Sequence, residues 1–68
     1  MPDINDIVRK NIRKARLAQG LSQEALAFKA KLHRAYIGQI ERGEKKIGLT
    51  NLDKITKALN VNIKEMID

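Results

Sequence analysis

The sequence predicts an all-α fold, a compact domain of five short helices that covers residues 1–68. Three observations support this fold class. Apolar residues recur at helical spacing in five segments, no segment alternates polar and apolar residues for long enough to form a strand, and capping residues or glycines stand at the segment boundaries. The predicted helices span residues 6–18, 22–30, 34–42, 49–59 and 63–67.

Helix 1 is predicted from Ile7, Val8 and Ile12, which recur at helical spacing among basic residues. Asp6 is expected to be its N-cap, because a carboxylate accepts hydrogen bonds from the unpaired amides of a first turn. Gly20 is expected to end it in the left-handed conformation.

Helices 2 and 3 are predicted to form a helix-turn-helix pair, joined by a turn at Lys31 and Leu32. Ser22 is a suitable N-cap for helix 2, and Gly43 ends helix 3. Two amphipathic helices of this size are what a DNA-binding pair needs, because one braces against the DNA backbone while the other fits the major groove.

Helix 4 is predicted from one apolar stripe, and helix 5 is short. Asn60 is expected to take the left-handed conformation after helix 4, and Asn62 to cap helix 5. The residues of the stripe are Leu49, Leu52, Ile55, Ala58 and Leu59.

Composition excludes several classes of protein. The chain has no cysteine and one histidine, His33, so we expect no disulfide, metal site or cofactor. No apolar run approaches the ~20 residues of a membrane span, and Met1-Pro2-Asp3 leads into a charged segment unlike a signal peptide. We expect a soluble, cytoplasmic protein.

The net charge of +6 on 68 residues favours a negatively charged partner. The alternative is that the basic residues serve solubility alone. Charge by itself bears on the class of partner and not on the fold.

Four spaced motifs follow one another along the chain. They are Ile12-Arg13-x-x-Arg16, Gly20-Leu21-Ser22-Gln23-Glu24-x-Leu26-Ala27, Tyr36-Ile37-x-Gln39-Ile40-Glu41-Arg42-Gly43 and Leu49-x-x-Leu52-x-Lys54-Ile55-x-x-Ala58-Leu59. This pattern resembles the phage repressor/Cro (XRE) family of helix-turn-helix transcriptional regulators. The segments Leu26-Ala27-Phe28, Arg34-Ala35-Tyr36-Ile37 and Ile40-Glu41-Arg42-Gly43 are similar to controller proteins of restriction–modification systems.

The resemblance implies a repressor-like DNA-binding fold and a structural salt bridge between Arg16 and Glu41. It also implies that Gln23 binds a backbone phosphate. Two of the departures from the family pattern lie in the turn between helices 2 and 3. Lys31 stands where glycine is usual, which costs roughly 1 kcal/mol if the residue is left-handed, and His33 is a poorer cap than the usual serine, threonine or aspartate.

Base contacts are expected from Arg34, Ala35 and Gln39 on helix 3. An arginine fork can bond two acceptors of guanine, an alanine can touch a thymine methyl, and a glutamine amide can pair with adenine. The alternative for Arg34 is a solvated side chain that meets phosphate. Gly38 would let the helix approach DNA closely, or is a tolerated helix weakener.

Phosphate contacts are expected from Gln23, Tyr36, Lys45 and Lys46. Gln23 begins helix 2, whose N-terminal amides form an anion site, and the two lysines lie in a basic loop. Tyr36 could donate its hydroxyl to a phosphate or pack against helix 2. His33 and Arg42 are candidates for contacts at the edge of the interface.

A homodimer on a palindromic operator is expected, because regulators of this type bind two half-sites about one helical turn apart. Its interface is assigned to Ile47, Ile63, Met66 and Ile67. The alternative is that these residues complete the core of one subunit, which the sequence favours for Ile63 and Ile67.

Rival functions remain at this stage. An enzyme is not expected, since no nucleophile–base pair or carboxylate pair is evident. A protein-interaction module, such as an antitoxin or a coactivator-like bridge, can use the same fold. Phe28 is more exposed in pattern than a core phenylalanine and could mark a partner surface. The positive net charge and the helix-turn-helix pair together favour double-stranded DNA as the partner. No membrane association and no small-molecule ligand are evident from the sequence.

Overall fold

The computed structural model describes residues 3–68 and shows five α-helices within them. Met1 and Pro2, which precede the first predicted helix, lie outside the described residues. The all-α fold class is confirmed for the described part of the chain, where no strand occurs. The helices are α1 (Ile4–Ala18), α2 (Gln23–Ala30), α3 (Arg34–Glu41), α4 (Leu49–Leu59) and α5 (Ile63–Ile67).

Helix α1 begins earlier than the sequence suggests. Its N-cap is Asp3, whose carboxylate accepts a hydrogen bond from the amide of Asp6 at 3.1 Å. Asp6 therefore lies within the first turn, where its charge suits the helix dipole, and it accepts a hydrogen bond from Nε of Arg9 at 3.0 Å. The prediction of Asp6 as the cap was wrong because a second aspartate stands three residues upstream.

The core is formed by side chains from all five helices, with α2 packed against α3 and α4, and α1 against α5 and α3. Burial of each large aliphatic side chain contributes about 1.5–3 kcal/mol. The largest fully buried side chains are those of Ile12, Leu26, Ile37, Ile40, Ile55 and Leu59. They fix the relative orientation of α2 and α3, on which the proposed DNA-binding surface depends.

Two residues of the turn between α2 and α3 have low intrinsic preference for the conformation or capping role that they adopt there. Lys31 adopts the left-handed conformation at φ 58°. His33 is the N-cap of α3, and its Nδ1 accepts a hydrogen bond from the amide of Ala35 at 3.1 Å. The turn therefore has the helix-turn-helix geometry without its usual glycine.

One residue of the predicted apolar stripe of α4 is not in the core. Leu49 is 83% exposed, because it is the first residue of α4 and follows a loop. The loop is tied to α1 at a nearby point, where the amide of Ile47 donates to Oδ1 of Asn5 at 3.2 Å.

Helix α5 has five residues and is held mainly by α1. Nδ2 of Asn11 donates to the carbonyl oxygen of Met66 at 2.7 Å, and Oε2 of Glu65 accepts from the amide of Asn62 at 2.7 Å. Within residues 3–68, none of the five helices has the length and apolar content needed to cross a bilayer.

Candidate nucleic-acid interface

A shallow groove lies between the N-terminus of α2 and the exposed side of α3, and we call it the α2–α3 groove. It brings together Gln23, Arg34 and Ala35, three of the residues that the sequence assigns to DNA contact. The full lining consists of Arg16, Ser22, Gln23, Glu24, Arg34, Ala35, Gly38 and Arg42.

The N-terminus of α2 forms one wall of the groove. Ser22 caps the helix by accepting a hydrogen bond from the amide of Ala25 at 2.9 Å. The first-turn amides of Gln23 and Glu24 have no partner within the helix and carry the positive end of its dipole. This wall is suited to a phosphate oxygen.

The exposed side of α3 forms the other wall. The Arg34 side chain is 70% exposed, and its Nη1 donates to Oε2 of Glu24 at 3.2 Å across the groove. Ala35 is exposed beside it. An arginine fork and a small apolar side chain at the start of a helix can contact base edges in the major groove.

The ion pair of Arg16 and Glu41 lies beneath the groove. Arg16 donates from Nε to Oε2 of Glu41 at 2.7 Å and from Nη2 to Oε1 at 2.8 Å. Its Nη1 donates to the carbonyl oxygen of Leu21 at 2.8 Å. Both charged residues are buried, and the hydrogen bonds to Glu41 raise the pKa of the Arg16 guanidinium. The pair expected from the family resemblance is present, and it joins α1 to the last turn of α3.

Gln23 is connected to the same carboxylate. Its Nε2 donates to Oε1 of Glu41 at 3.2 Å, and Nε of Arg13 lies 3.8 Å from that oxygen. The amide of Gln23 is thereby oriented at the mouth of the groove by a buried acceptor, before any ligand is present.

Gly38 also has a structural role that the sequence did not indicate. A Cβ on Gly38 would lie 2.9 Å from Nη1 of Arg42 and 3.3 Å from Oε1 of Gln23. The missing side chain therefore makes room for these two polar groups to lie over α3.

Arg42, for which the sequence gave only a candidate contact at the edge of the interface, also lines the groove. Its Nε donates to Oε2 of Glu44 at 2.6 Å and its Nη2 to Oε1 at 3.2 Å. These bonds raise the pKa of Arg42 and lower that of Glu44. The spacing of Arg34, Gly38 and Arg42, four residues apart on one helical face, is the sequence signal that indicates a shared surface.

Four other predicted contacts lie outside the groove lining. Gln39 is half-buried on α3, and Tyr36 is half-buried and packs against the core. Lys45 and Lys46 are exposed in the loop after α3. Of the seven predicted base and phosphate contacts, three therefore line the groove, two are half-buried on α3 and two lie in the loop after α3.

A second surface is an apolar depression formed by α1, α4 and α5 with the loop before α4. Ile63 and Ile67 are 41% and 42% exposed in it, so they do not complete the core as the sequence favoured. Met66 is 3% exposed and belongs to the core, because its position on α5 turns it towards α1. Met66 therefore offers almost no surface to a second copy of the chain. The depression is lined by Ile4, Asn5, Val8, Ile47, Leu49, Leu52, Ile63 and Ile67.

The fold and the α2–α3 groove define a helix-turn-helix protein. The family model described as helix-turn-helix matches residues 12–66, and the chain belongs to this family, whose members are DNA-binding transcriptional regulators. The fold and family expected from the sequence are confirmed.

Controller proteins are among the relatives of this chain. It is 47% identical over 60 residues to the control protein C.BamHI of Bacillus amyloliquefaciens, which covers 87% of this chain and 74% of that protein. Two solved structures are similar. The restriction–modification controller C.AhdI of Aeromonas hydrophila has a TM-score of 0.87 at 39% identity, over 91% of this chain and 94% of that one. The wild-type controller C.Esp1396I has a TM-score of 0.89 at 36% identity, over 98% and 90%.

Proposed function

We propose that this protein regulates transcription by sequence-specific binding of double-stranded DNA, with α3 in the major groove. The observation that carries the proposal is the α2–α3 groove, in which exposed Arg34 and Ala35 lie beside the N-terminus of α2 and oriented Gln23. The similarity to C.BamHI and C.AhdI supports a role in control of a restriction–modification system.

Sequence readout is assigned to Arg34, Ala35 and Gln39. The Arg34 side chain is 70% exposed, and its salt bridge to Glu24 is a surface pair of the kind that contributes about 0–1 kcal/mol. A guanine edge can therefore replace Glu24 as its partner at small cost. Gln39 is half-buried and lies further along α3, so it reaches a neighbouring base pair.

Backbone contact is assigned to two sets of groups. Gln23 and the first-turn amides of α2 hold one phosphate, and Lys45 and Lys46 hold another after α3. Tyr36 packs against the core, and we assign its hydroxyl to a third phosphate.

A homodimer is the proposed binding unit. Its interface is assigned to the apolar depression, where Ile47, Ile63 and Ile67 lie near exposed Leu49 and Ile4. An exposed apolar patch of this kind is typical of a protein–protein interface. Two copies would present two α3 helices to half-sites about one helical turn apart.

Selection of bound fragments from a random DNA pool tests the proposal. We expect enrichment of a two-fold symmetric site, and no enrichment would favour a protein-interaction module instead.

Gel-shift titrations with single-base variants of the enriched site then separate base readout from phosphate contact. Arg34→Ala should reduce discrimination among variants by ~1–3 kcal/mol, whereas Lys46→Ala should weaken binding to all of them alike. Equal losses on every variant for Arg34→Ala would contradict its assignment to base readout.

A further inference from the structure

Each arginine that lines the α2–α3 groove is paired with a glutamate. The pairs are Arg16–Glu41, Arg34–Glu24 and Arg42–Glu44. The six formal charges cancel, although the chain as a whole carries +6. Arg13, whose Nε lies 3.8 Å from Oε1 of Glu41, adds one further cation nearby. DNA must therefore compete with carboxylates for the three arginines that line the groove.

The Arg42–Glu44 pair differs from the other two. The Arg16–Glu41 pair is buried and structural, and the Arg34–Glu24 pair has one hydrogen bond of 3.2 Å. Arg42 and Glu44 form two hydrogen bonds, at 2.6 and 3.2 Å, although both side chains are more than half exposed. Two bonds from one guanidinium to one carboxylate match the geometry with which arginine binds a phosphate.

The position of Arg42 is suited to a phosphate contact. Its guanidinium lies over Gly38, and Nη1 of Arg42 and Oε1 of Gln23 both lie within 3.3 Å of the point where a Gly38 Cβ would stand. Arg42, the C-cap residue of α3, follows Arg34 by eight residues, about 12 Å along the helix axis. It can therefore reach the DNA backbone while Arg34 is at a base.

Building on the function proposed above, we propose that Arg42 binds a DNA phosphate and that Glu44 is a built-in competitor for it. In the free protein the carboxylate of Glu44 accepts the hydrogen bonds that Nε and Nη2 of Arg42 donate. On DNA, phosphate oxygens take its place, and Glu44 is released to solvent. The competitor lowers affinity for every duplex, so binding depends more strongly on the base contacts of Arg34.

The test compares Glu44→Gln with a matched control, Asp53→Asn. Both remove one negative charge from an exposed ion pair, and the control pair, Lys57 Nζ to Asp53 Oδ2 at 3.0 Å, lies within α4 outside the groove lining. Affinity is measured by fluorescence anisotropy with a labelled mixed-sequence duplex of about 30 base pairs, long enough for two half-sites.

Glu44→Gln should bind up to about fivefold more tightly than wild type, which is the change in affinity that corresponds to the free energy of an exposed ion pair. Asp53→Asn should change affinity by less than about twofold, since distant charges are screened.

The Arg42→Ala background separates competition from simple charge. There Glu44→Gln should gain no more than Asp53→Asn, because the group for which Glu44 competes is absent. An equal gain from Glu44→Gln and Asp53→Asn in the wild-type background, or a Glu44→Gln gain that persists in Arg42→Ala, would overturn the proposal. Thermal melting of each variant verifies the fold.

Failure of the two proposals is distinguishable. If wild type binds neither the mixed duplex nor any fragment of a random pool, both proposals fail together. If wild type binds DNA and Glu44→Gln behaves as Asp53→Asn does, only the competitor role of Glu44 is wrong.

Discussion

Arg16 and Glu41 are bound to each other by two hydrogen bonds of 2.7 and 2.8 Å in the interior of the protein, 25 residues apart in sequence. The same carboxylate accepts a hydrogen bond from Gln23 at the mouth of the α2–α3 groove. One buried acceptor thus joins the stability of the fold to the orientation of a proposed phosphate contact.

Loss of Glu41 should unfold much of the protein. Glu41→Ala leaves the buried Arg16 guanidinium without its counter-charge, at a cost of about 3–5 kcal/mol, which is comparable with the whole stability of a domain of this size. The double variant Arg16→Met, Glu41→Leu should regain helical signal, because an apolar pair needs no counter-charge. Circular dichroism and urea unfolding measure both variants. A Glu41→Ala variant within about 1 kcal/mol of wild type would show that the pair is weak.

Substitution of Gly38 should separate stability from binding. Gly38→Ala gains up to about 1 kcal/mol in helix propensity, and its Cβ meets the flexible ends of Arg42 and Gln23, which can move aside. Their displacement should weaken DNA binding by about tenfold, the equivalent of one charge-assisted hydrogen bond. Thermal melting and anisotropy titration measure the two effects. A variant that binds DNA as wild type does would remove the assigned role of Gly38.

Replacement of Lys31 by glycine should stabilise the protein. Its left-handed backbone at φ 58° favours glycine, so Lys31→Gly should raise the free energy of unfolding by about 1 kcal/mol. Asn60 at φ 57° provides a matched control, because asparagine tolerates this conformation. Asn60→Gly should therefore gain less. Urea denaturation of both variants decides, and a larger gain at Asn60 would contradict the explanation.

The pKa of Glu44 should depend on Arg42. It is lowered chiefly by the hydrogen bond from Arg42, so Arg42→Ala should raise it towards its ordinary value. A carboxyl with a lowered folded-state pKa adds stability above its unfolded pKa and loses that contribution as the pH falls through the folded one. Carbon-13 NMR titration of the side-chain carboxyl measures the midpoint. Lys57→Ala, which removes a cation from α4, should leave the pKa of Glu44 low.

Much of the fold follows from local signals in the sequence. The predicted spans of α4 and α5 coincide with those observed, because apolar periodicity and asparagine caps act within one or two turns. The start of α1 was misplaced by two residues, since Asp3 and Asp6 are both chemically able to cap and only their distances to backbone amides distinguish them.

The candidate site was predictable in part. Gln23, Arg34 and Ala35 were assigned to DNA contact from helix position, side-chain chemistry and the family resemblance, and the structure places all three in the lining of one groove. Arg42 was only an edge candidate and was not assigned to a base or a phosphate, because its place depends on how its side chain folds back over Gly38 and pairs with Glu44. The four-residue spacing indicates that Arg42 shares a surface with Arg34 and Gly38, but it encodes neither the fold-back nor the pairing with Glu44.

The sequence by itself determined the helix-turn-helix pair and which side chains have the chemistry for a DNA contact, because capping, periodicity and side-chain chemistry are local properties. The tertiary structure decided which side chains share a surface. It buried Met66 while leaving Ile63 and Ile67 exposed, and it placed a glutamate against every arginine of the groove. These outcomes depend on the angles at which helices cross and on the rotamers that the packing permits, and both are set by contacts between residues distant in the chain.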